Sequence, residues 1–329
     1  MTTSLTRRLW LCALGAAAVG FTLPAQAQNY PNKPIRIVVP FAPGGATDIL
    51  ARLLGQKMSA KLGQPIVVDN KPGAAGIIGT DTVAKAAPDG HTIVLALSNS
   101  LLTNQFVYEK LPYNVQRDLM LVSQIATAPL LLVVHPSVPA SNAAELMKYI
   151  AENKGKLSYG SYGLGTYAHL AGAHMSMTQK ADMTHVAYKG EAPMITDLIG
   201  GQIQMAYASA LQAKPHIDAG KLKVIGVTGE QRIAIAPNVP TLVEQGLKDE
   251  AYRVTGWLAV AAPAKTPAAV VQRLADEVRA ACAEPDVKEK IAAMGFELKA
   301  NTPDEFAAVY KRELPVWERL IKQSGVKLE

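Results

Sequence analysis

Short runs of β-branched and aliphatic residues alternate along the chain with segments of helical periodicity. The run at 35–39 leads into Pro43-Gly44-Gly45, and apolar positions then recur with helical spacing from Ile49 to Met58. This order predicts a strand, a glycine turn and a helix. A run at 157–161 leads in the same way into a second glycine-rich segment. Further strands are predicted at 66–68, 92–97, 130–134, 184–188, 203–208, 224–228 and 253–262.

Helical segments lie between most of these strands. We predict helices at 73–86, at 141–150 with Ser141 as the N-cap, at 192–199 and at 268–283. The last helix is predicted to begin at Thr302-Pro303-Asp304-Glu305, where proline and acids suit a helix N-terminus. Strands that alternate with helices indicate βαβ units and parallel sheets.

The chain is long enough for more than one hydrophobic core. Its 329 residues, 49% of them hydrophobic, favour two domains, because one apolar core stops growing efficiently near this size. Only 18% of the residues are charged and 6% are aromatic, and the net charge of +6 is not gathered into a run of like charges. The composition therefore gives no support for nucleic-acid binding.

The first 27 residues have the pattern of a secretory signal peptide. Arg7 and Arg8 precede an apolar run at 9–23, and Ala25-Gln26-Ala27 supplies small residues for cleavage. The apolar run is shorter than the roughly 20 residues that span a bilayer, so export is expected rather than anchoring. Both the general secretory route and the twin-arginine route stay open.

Cysteine content bears on how the exported protein is stabilised. Cleavage would remove Cys12 and leave Cys282 as the only cysteine. An internal disulfide is then impossible, so stability depends on the core. Because Cys282 lies in a predicted helix, we expect a buried apolar residue rather than a nucleophile.

The segment from Phe41 to Asp48 is the first candidate ligand site. It lies between a predicted strand and a predicted helix, where amide protons and the helix dipole favour an anion such as a carboxylate. Gly44 and Gly45 would let a ligand oxygen approach the backbone. A tight turn capped by Thr47 or Asp48 explains the same residues equally well. Asp48 is expected to cap or brace the loop, since its charge would repel an anion.

A second segment offers the same chemistry. Ser161, Gly163, Gly165 and Thr166 combine glycine amides with two hydroxyl groups. Small polar residues also follow two other predicted strands, at Ser98-Asn99-Ser100 and at Ser209, on the sheet edge where α/β proteins bind ligands.

Two classes of enzyme remain as alternatives. Gly163-x-Gly165-x-x-Ala168 matches the fingerprint of a dinucleotide-dependent oxidoreductase, although it falls late in the chain. A secreted hydrolase is the other class, but Gly160-Ser161-Tyr162-Gly163 is not a Gly-x-Ser-x-Gly elbow. The six histidines form no metal-binding motif, and His169 is expected to be solvated or packed.

A set of short segments occurs in order over nearly the whole chain after the signal peptide. They are Tyr30-Pro31 with Pro34-Ile35, 40–45 with Asp48 and Ala51-Arg52, 68–76, 87–92, 160–163 with 165–166 and 169–172, 185–190, and Pro240-Thr241. Together these segments resemble the Bug family, the substrate-binding proteins of tripartite tricarboxylate transporters. Tyr162 departs from the pattern, because many members of the family carry glycine there.

The resemblance implies a periplasmic solute-binding protein of the two-lobed α/β fold (type II like). Each lobe would be a mainly parallel sheet flanked by helices, with the ligand cleft between the lobes. Residues 28–127 plus 252–329 would form lobe I, and residues 128–251 would form lobe II. We expect no catalysis, no bound cofactor and no metal.

The same resemblance implies the ligand and the partners. The ligand would be a small carboxylate, namely a di- or tricarboxylate, an acidic amino acid or an aromatic acid, and the protein would act as a monomer with membrane transporter subunits. A sensor that docks to a membrane signalling partner stays open as an alternative. The residues expected to contact the ligand are Phe41, Gly44, Gly45, Thr47, Asp48, Ser98, Asn99, Ser161, Gly163, Gly165, Thr166 and Ser209.

Overall fold

The computed structural model describes residues 30–327, so the predicted signal peptide at 1–27 lies outside the described residues. Residues 31–327 build two β-sheets flanked by helices. Within 30–327, no helix is both long enough and apolar enough to cross a membrane. The strands are β1 (Ile35–Val39), β2 (Ile66–Asn70), β3 (Thr92–Leu97), β4 (Leu119–Ala128), β5 (Leu131–Val134), β6 (Ser158–Ser161), β7 (Thr184–Ala187), β8 (Met205–Ala208), β9 (Lys223–Val227), β10 (Gly256–Pro263) and β11 (Glu297–Leu298).

The helices connect these strands and cover the sheets. Short 3₁₀ and π-helical turns occur at Ala74–Gly76 and Asn99–Thr103. The α-helices are α1 (Ala46–Leu62), α2 (Ile77–Ala84), α3 (Asn104–Val107), α4 (Val115–Asp118), α5 (Ala143–Glu152), α6 (Tyr167–Thr178), α7 (Glu191–Ile199), α8 (Ala210–Asp218), α9 (Glu250–Arg253), α10 (Ala268–Cys282), α11 (Pro285–Ala293) and α12 (Pro303–Ser324).

The first sheet has the strand order β11-β4-β10-β3-β1-β2. β1 pairs in parallel with β2 and with β3, as the alternation of strands and helices predicts. β10 runs antiparallel between β3 and β4, and β11 is antiparallel to β4. Residues 257–263 of β10 are all buried, because this strand is hydrogen-bonded on both edges at the centre of the sheet.

The second sheet has the strand order β7-β6-β8-β5-β9. β6 pairs in parallel with β7 and with β8, whereas β5 is antiparallel to both β8 and β9. Both sheets are therefore mixed, and the expectation of mainly parallel sheets holds for β1, β2 and β3 and for β6, β7 and β8, which crossover helices connect. The chain passes from β4 to β5 and from β9 to β10 between the sheets without a crossover helix, so the direction of these strands is not fixed as parallel.

The predicted elements agree with the structure at most positions, and the main exception is β4. β1 and β3 have the predicted bounds. β4 has no counterpart among the predicted strands, because Ser123 and Gln124 interrupt its apolar run. Both polar residues are buried and have a distant partner: Ser123 Oγ donates to the Asn301 carbonyl at 2.7 Å, and Asn301 Nδ2 donates to Gln124 Oε1 at 2.8 Å. A partner 177 residues away cannot be recognised from local pattern.

The predicted cap of α5 was one residue too early. Asn142 is the N-cap, and its Oδ1 accepts from the amide of Glu145 at 2.9 Å. Ser141 instead donates its own amide to Glu145 Oε2 at 2.7 Å. Asparagine and serine are comparable caps, so composition did not decide between these neighbours.

Two connections link the sheets. β4 leads through residues 129–130 into β5, and β9 leads through residues 228–255 into β10. The connections are hydrogen-bonded to each other, because Leu130 N donates to Thr228 Oγ1 and Thr228 N donates to the Leu130 carbonyl, both at 2.9 Å.

Helix α12 also contacts the helices of both sheets. Thr302 and Glu305 cap it reciprocally, as the predicted start implies. The Trp317 ring meets the Tyr167 ring of α6 edge-on, with centroids 5.5 Å apart. Arg319 Nη2 lies 2.7 Å from a carboxylate oxygen of Glu250 in α9.

Cys282 lies in α10 with no exposed surface. Burial raises the pKa of its thiol to about 12. The side chain is therefore an inert apolar residue, as its helical position predicted.

Gly79 of α2 is packed so closely that a side chain is expected to destabilise the fold. A Cβ at this position would lie 2.8 Å from Pro40 Cα and 2.9 Å from the Lys71 carbonyl oxygen, and neither backbone atom can move alone. We expect Gly79→Ala to lower the free energy of unfolding by about 1–3 kcal/mol in urea titration. Gly45→Ala is the matched control, because its Cβ would meet only the Ala42 carbonyl at 3.9 Å. Equal stability of the two variants would contradict the packing argument.

Candidate functional site

The turn between β1 and α1 leaves helix amides without internal acceptors. Gly45 is the N-cap, with φ −78° and ψ 168°, and no side chain caps the helix. Thr47 and Asp48 therefore lie inside the first turn rather than at the cap. Because the first amides of a helix have no partner within it, those that follow Gly45 remain donors. Gly44 and Gly45 are exposed.

Asp48 braces this turn. It is only 4% exposed, and its Oδ2 accepts from the amide of Gly44 at 3.0 Å and from Arg52 Nε at 3.1 Å. Arg52 Nη2 also donates to Asn70 Oδ1 at 2.9 Å, and Asn70 Nδ2 donates to the Phe41 carbonyl at 3.1 Å. Burial opposes ionisation, but hydrogen bonds from Arg52, Gly44 and Asn70 outweigh it and lower the pKa of Asp48 below its ordinary value.

A third turn, which sequence reasoning did not select, adjoins the first. Ala74 and Ala75 both have positive φ, at 45° and 51°. Three side-chain donors hold the Ala75 carbonyl: Asn99 Nδ2 at 2.7 Å, Asn104 Nδ2 at 3.2 Å and Ser100 Oγ at 3.4 Å. Such hydrogen bonding is what maintains a strained backbone. Asn99 and Asn104 thus serve this turn, and no local periodicity signals that role.

Ser98 lies at the start of this polar cluster. Its Oγ accepts from the amide of Trp257 in β10 at 3.4 Å, and it is 5% exposed. Ser98 therefore contacts the strand that returns from the second sheet. Phe41, in the first turn, is half-buried, and its Cζ lies 3.3 Å from the position a Cβ would take at Gly76.

The turn between β6 and α6 is closed by its own hydrogen bonds. Ser161 Oγ and Thr166 Oγ1 both donate to the Gly163 carbonyl, at 3.0 Å and 2.7 Å. The amide of Gly165 donates to His169 Nδ1 at 3.1 Å. Ser161 and Thr166 are 0% and 2% exposed, so their hydroxyl groups lie inside the turn.

Two stacked histidines support the same turn. The rings of His169 and His185 lie 3.8 Å apart with an interplanar angle of 7°, and Tyr159 stacks on His185 at 4.9 Å. Burial lowers the pKa of His169 to about 3, with a further contribution from His185, and burial lowers the pKa of His185 to about 4. Both imidazoles are therefore neutral at neutral pH, and His169 is a packed residue rather than a solvated one.

Ser161 and His185 do not form an activated nucleophile. His185 Nε2 lies 2.8 Å from Ser161 Oγ, a distance at which a base could take the hydroxyl proton. That proton is already donated to the Gly163 carbonyl, so the imidazole acts as the donor to Ser161.

Ser209, at the N-cap of α8, is held by a residue that sequence reasoning missed. Glu191 Oε1 accepts from the Ser209 amide at 2.6 Å, and Glu191 Oε2 accepts from Ser209 Oγ at 2.7 Å. Glu191 follows the Tyr188-Lys189-Gly190 segment, in which Tyr188 donates to Asp197 at 2.8 Å and Lys189 is exposed. Its position directly after a glycine turn at a strand end was the available signal.

The structure brings the predicted residues together in two groups. The first group is 41–48 with Ser98 and Asn99, and the second is 161–166 with Ser209. Thr103, which ends the π-helical turn that begins at Asn99, connects the groups by donating from its Oγ1 to the Gly165 carbonyl at 3.3 Å. Within 30–327, no hydrogen bond joins residues 41–48 directly to residues 161–166. In the same part of the chain, no cluster of His, Cys, Asp and Glu has the arrangement of a metal site.

Solved structures of known proteins share this fold. Periplasmic binding protein BugD is 33% identical with a TM-score of 0.82, covering 91% of this chain and 100% of that one. An R. palustris protein solved with adipate is 32% identical with a TM-score of 0.83, covering 90% and 98%. MatC from Rhodopseudomonas palustris with bound malate is 29% identical with a TM-score of 0.81, covering 89% and 100%. The two-lobed α/β fold of periplasmic binding proteins is thus confirmed.

Sequence comparison gives the family. The model of the tripartite tricarboxylate transporter family receptor matches residues 50–326. BugT of Bordetella pertussis is 32% identical over 327 residues, covering 99% of this chain and 100% of that protein. A Pseudomonas sp. protein described as a UPF0065 protein in the tcbD-tcbE intergenic region is 39% identical over 317 residues, covering 96% and 94%. The chain belongs to the tripartite tricarboxylate transporter receptor family, as the Bug resemblance predicted. It is a solute receptor and not an enzyme.

The buried histidine pair predicts that stability falls in acid. Between pH of about 6.5 and 4, the unfolded chain binds protons at these two histidines that the folded chain does not. Each histidine then removes up to about 1.4 kcal/mol from the free energy of unfolding per pH unit. Urea titrations at pH 7, 6 and 5 should show this decline.

His169→Asn isolates the effect, because the asparagine oxygen can accept from Gly165 while the titrating group is removed. His185→Gln removes the other titrating group and keeps a side-chain donor for Ser161 Oγ. We expect a smaller decline with acid in both variants, whatever their stability at pH 7. Slopes equal to that of the unaltered protein would disprove the assignment.

Proposed function

We propose that this receptor captures a small organic carboxylate in the periplasm, after export directed by residues 1–27, and delivers it to a tripartite tricarboxylate-type transporter. The observation that carries the proposal is the open turn at the start of α1. Exposed Gly44 and Gly45 lie directly before the unpaired amides of a 17-residue helix. A helix N-terminus of this kind attracts anions through its amides and its dipole.

Charge neutralisation inside the turn supports the same assignment. Asp48 lies in the first turn of α1, where its negative charge would repel a ligand carboxylate. Its Oδ2 accepts a hydrogen bond from the Gly44 amide at 3.0 Å, and its Oδ1 lies 2.9 Å from Arg52 Nη2. The amides that follow Gly45 therefore keep their attraction for an anion.

Closure is proposed to join the two turns around the ligand. Residues 28–127 with 252–329 would move as lobe I, and residues 128–251 as lobe II, about the connections at 129–130 and 228–255. The contact between Thr103 and Gly165 at 3.3 Å supports a closed arrangement of the two groups. A ligand that contacts both turns only when they are closed would stabilise that state, because a ligand shifts an equilibrium only by its differential affinity.

The relatives guide the choice of ligand class. Two similar proteins were solved with adipate and with malate, both of which are dicarboxylates. Carboxylates therefore come first in a screen, followed by acidic amino acids and aromatic acids.

Gly45→Val is expected to abolish ligand binding in a folded protein. Gly45 has φ −78°, which any residue adopts, and only the Ala42 carbonyl lies within 4 Å of its Cβ position, at 3.9 Å. The valine side chain would occupy the space through which a carboxylate approaches. In the unaltered protein, ligand at 100 times its dissociation constant should stabilise the fold by about 2.7 kcal/mol, measurable as a rise in Tm.

Ala219→Val is the matched control, since Ala219 is exposed beyond the far end of α8. It should keep the full rise in Tm, whereas Gly45→Val should lose it. A Gly45→Val protein with an unchanged Kd would count against the site.

The transporter partnership needs a separate measurement. Uptake of the labelled acid is expected only in cells that contain both the receptor and the membrane subunits. Normal uptake in cells that lack the receptor would contradict the delivery role and leave sensing as the function.

A further inference from the structure

The two turns of the proposed site differ in what they can still donate. In the first turn, the amide of Gly44 has an internal acceptor, while the amides after Gly45 have none within α1. In the second turn, three amides have internal acceptors: Gly163 N donates to Ser161 Oγ, Gly165 N to His169 Nδ1 and Thr166 N to the Gly163 carbonyl. The first amides of α6, like those of α1, have no acceptor within the helix, so the difference between the two turns lies in the amides that precede the helices.

Exposure differs in the same sense. Gly45, the N-cap of α1, is exposed and Ala46 after it is half-buried, whereas Thr166, the N-cap of α6, and Tyr167 after it are 2% and 5% exposed. Tyr162, the residue that replaces glycine, packs against two hydrophobic clusters, both of which include residues of the second sheet. Burial raises the pKa of its phenol, and the charge of Glu191 adds to the shift.

Glu191 supplies the charge at this side of the site. It begins α7 after the end of β7, and it holds Ser209, which follows the end of β8. β6, β7 and β8 are parallel neighbours through β6, so the carboxyl ends of all three lie at one sheet edge. Glu191, Ser209 and Tyr162 therefore lie at the edge that also carries the second turn.

Burial raises the pKa of Glu191 above its ordinary value, while two hydrogen bonds from Ser209 favour its carboxylate form and leave further acceptor positions on its oxygens. Ser209 Oγ accepts from Gln212 N at 3.4 Å, so its own proton goes to Glu191 Oε2, and Oε1 accepts from the Ser209 amide. Both oxygens are therefore acceptors, and a carboxylate offers about four acceptor positions, of which Ser209 fills two. Among residues 30–327, no Lys, Arg or His lies within 4.0 Å of this carboxylate. Lys189 is exposed.

We propose that Glu191 is the specificity-determining residue of the site, admitting a monocarboxylate whose far end is a hydrogen-bond donor and rejecting a second carboxylate. The inference rests on the proposed function, because the first turn must hold the ligand's carboxylate. A far-end ammonium or hydroxyl would fill the open acceptor positions of Glu191. A far-end carboxylate would meet a like charge in a partly desolvated site, where repulsion is stronger than in water.

A purely structural role for Glu191 makes a different prediction. If the residue only positions Ser209 as the cap of α8, its removal changes stability and weakens all ligands alike. Specificity is distinguished by the ratio of affinities for two ligands that differ only at the far end.

Matched ligand pairs provide that ratio in isothermal titration calorimetry. The pairs are succinate with 4-aminobutanoate, glutarate with 5-aminopentanoate, adipate with 6-aminohexanoate, and terephthalate with 4-(aminomethyl)benzoate. In the pair that binds best, we expect the amino acid to bind at least about tenfold more tightly than the diacid. Glu191→Gln keeps an acceptor for Ser209 and should bring the two affinities within about threefold, mainly by tightening the diacid.

Glu289→Gln, at an exposed position of α11, is the control for net charge and should leave the ratio unchanged. A diacid that binds the unaltered protein at least as tightly as its amino partner would overturn the role of Glu191, while the carboxylate receptor would stand. A ratio that Glu191→Gln does not alter would also overturn it. If no acid in any pair binds, the proposed function fails and the inference fails with it.

Discussion

The buried charge of Asp48 is the constraint on which the first turn depends. A carboxylate with 4% exposure is costly unless hydrogen bonds and a cation compensate it, and here the Gly44 amide and Arg52 do so. Arg52 continues the chain of hydrogen bonds to Asn70, which holds the Phe41 carbonyl. One network thus fixes the end of β1, the end of β2 and the start of α1. Because the charge is neutralised within this network, the helix N-terminus keeps its attraction for an anion outside it.

The two sheets are joined by two chain connections and, in addition, by the packing of one helix. The connections are hydrogen-bonded to each other through Leu130 and Thr228, and the helix is α12. Any movement of one sheet relative to the other must either move α12 together with α6 and α9 or break its contacts with them. The Arg319 pair with Glu250 is about half exposed, so it contributes little and weakens with salt. Trp317 against Tyr167 is buried and aromatic, so this packing is the stronger restraint.

Local pattern was sufficient for elements whose residues all obey one periodicity, and insufficient where a distant partner decides. β1, β3 and the start of α12 follow from apolar runs and capping residues. β4 does not, because Asn301 satisfies its buried Ser123 and Gln124. The two glycine turns were recognisable from composition and resemblance. The hydrogen bonds at these turns could not be predicted. The Gly165 amide donates to His169 and the Ser209 amide donates to Glu191, and both contacts depend on where the side chains meet in the fold.

Family membership and ligand identity rest on different parts of this molecule. Backbone amides can recognise a carboxylate through almost any sequence that folds into the turn, so they report nothing about the rest of the ligand. In the proposed site the far end would be met by side chains, and there this chain has Glu191 hydrogen-bonded to Ser209. A neutral pocket would accept either end of a dicarboxylate, whereas a Glu191 carboxylate with no cation partner among residues 30–327 would make the two ends of the site unequal. A ligand with unequal ends then binds in a single orientation, because reversing it would place a negative group against Glu191 and a donor against the amides of α1.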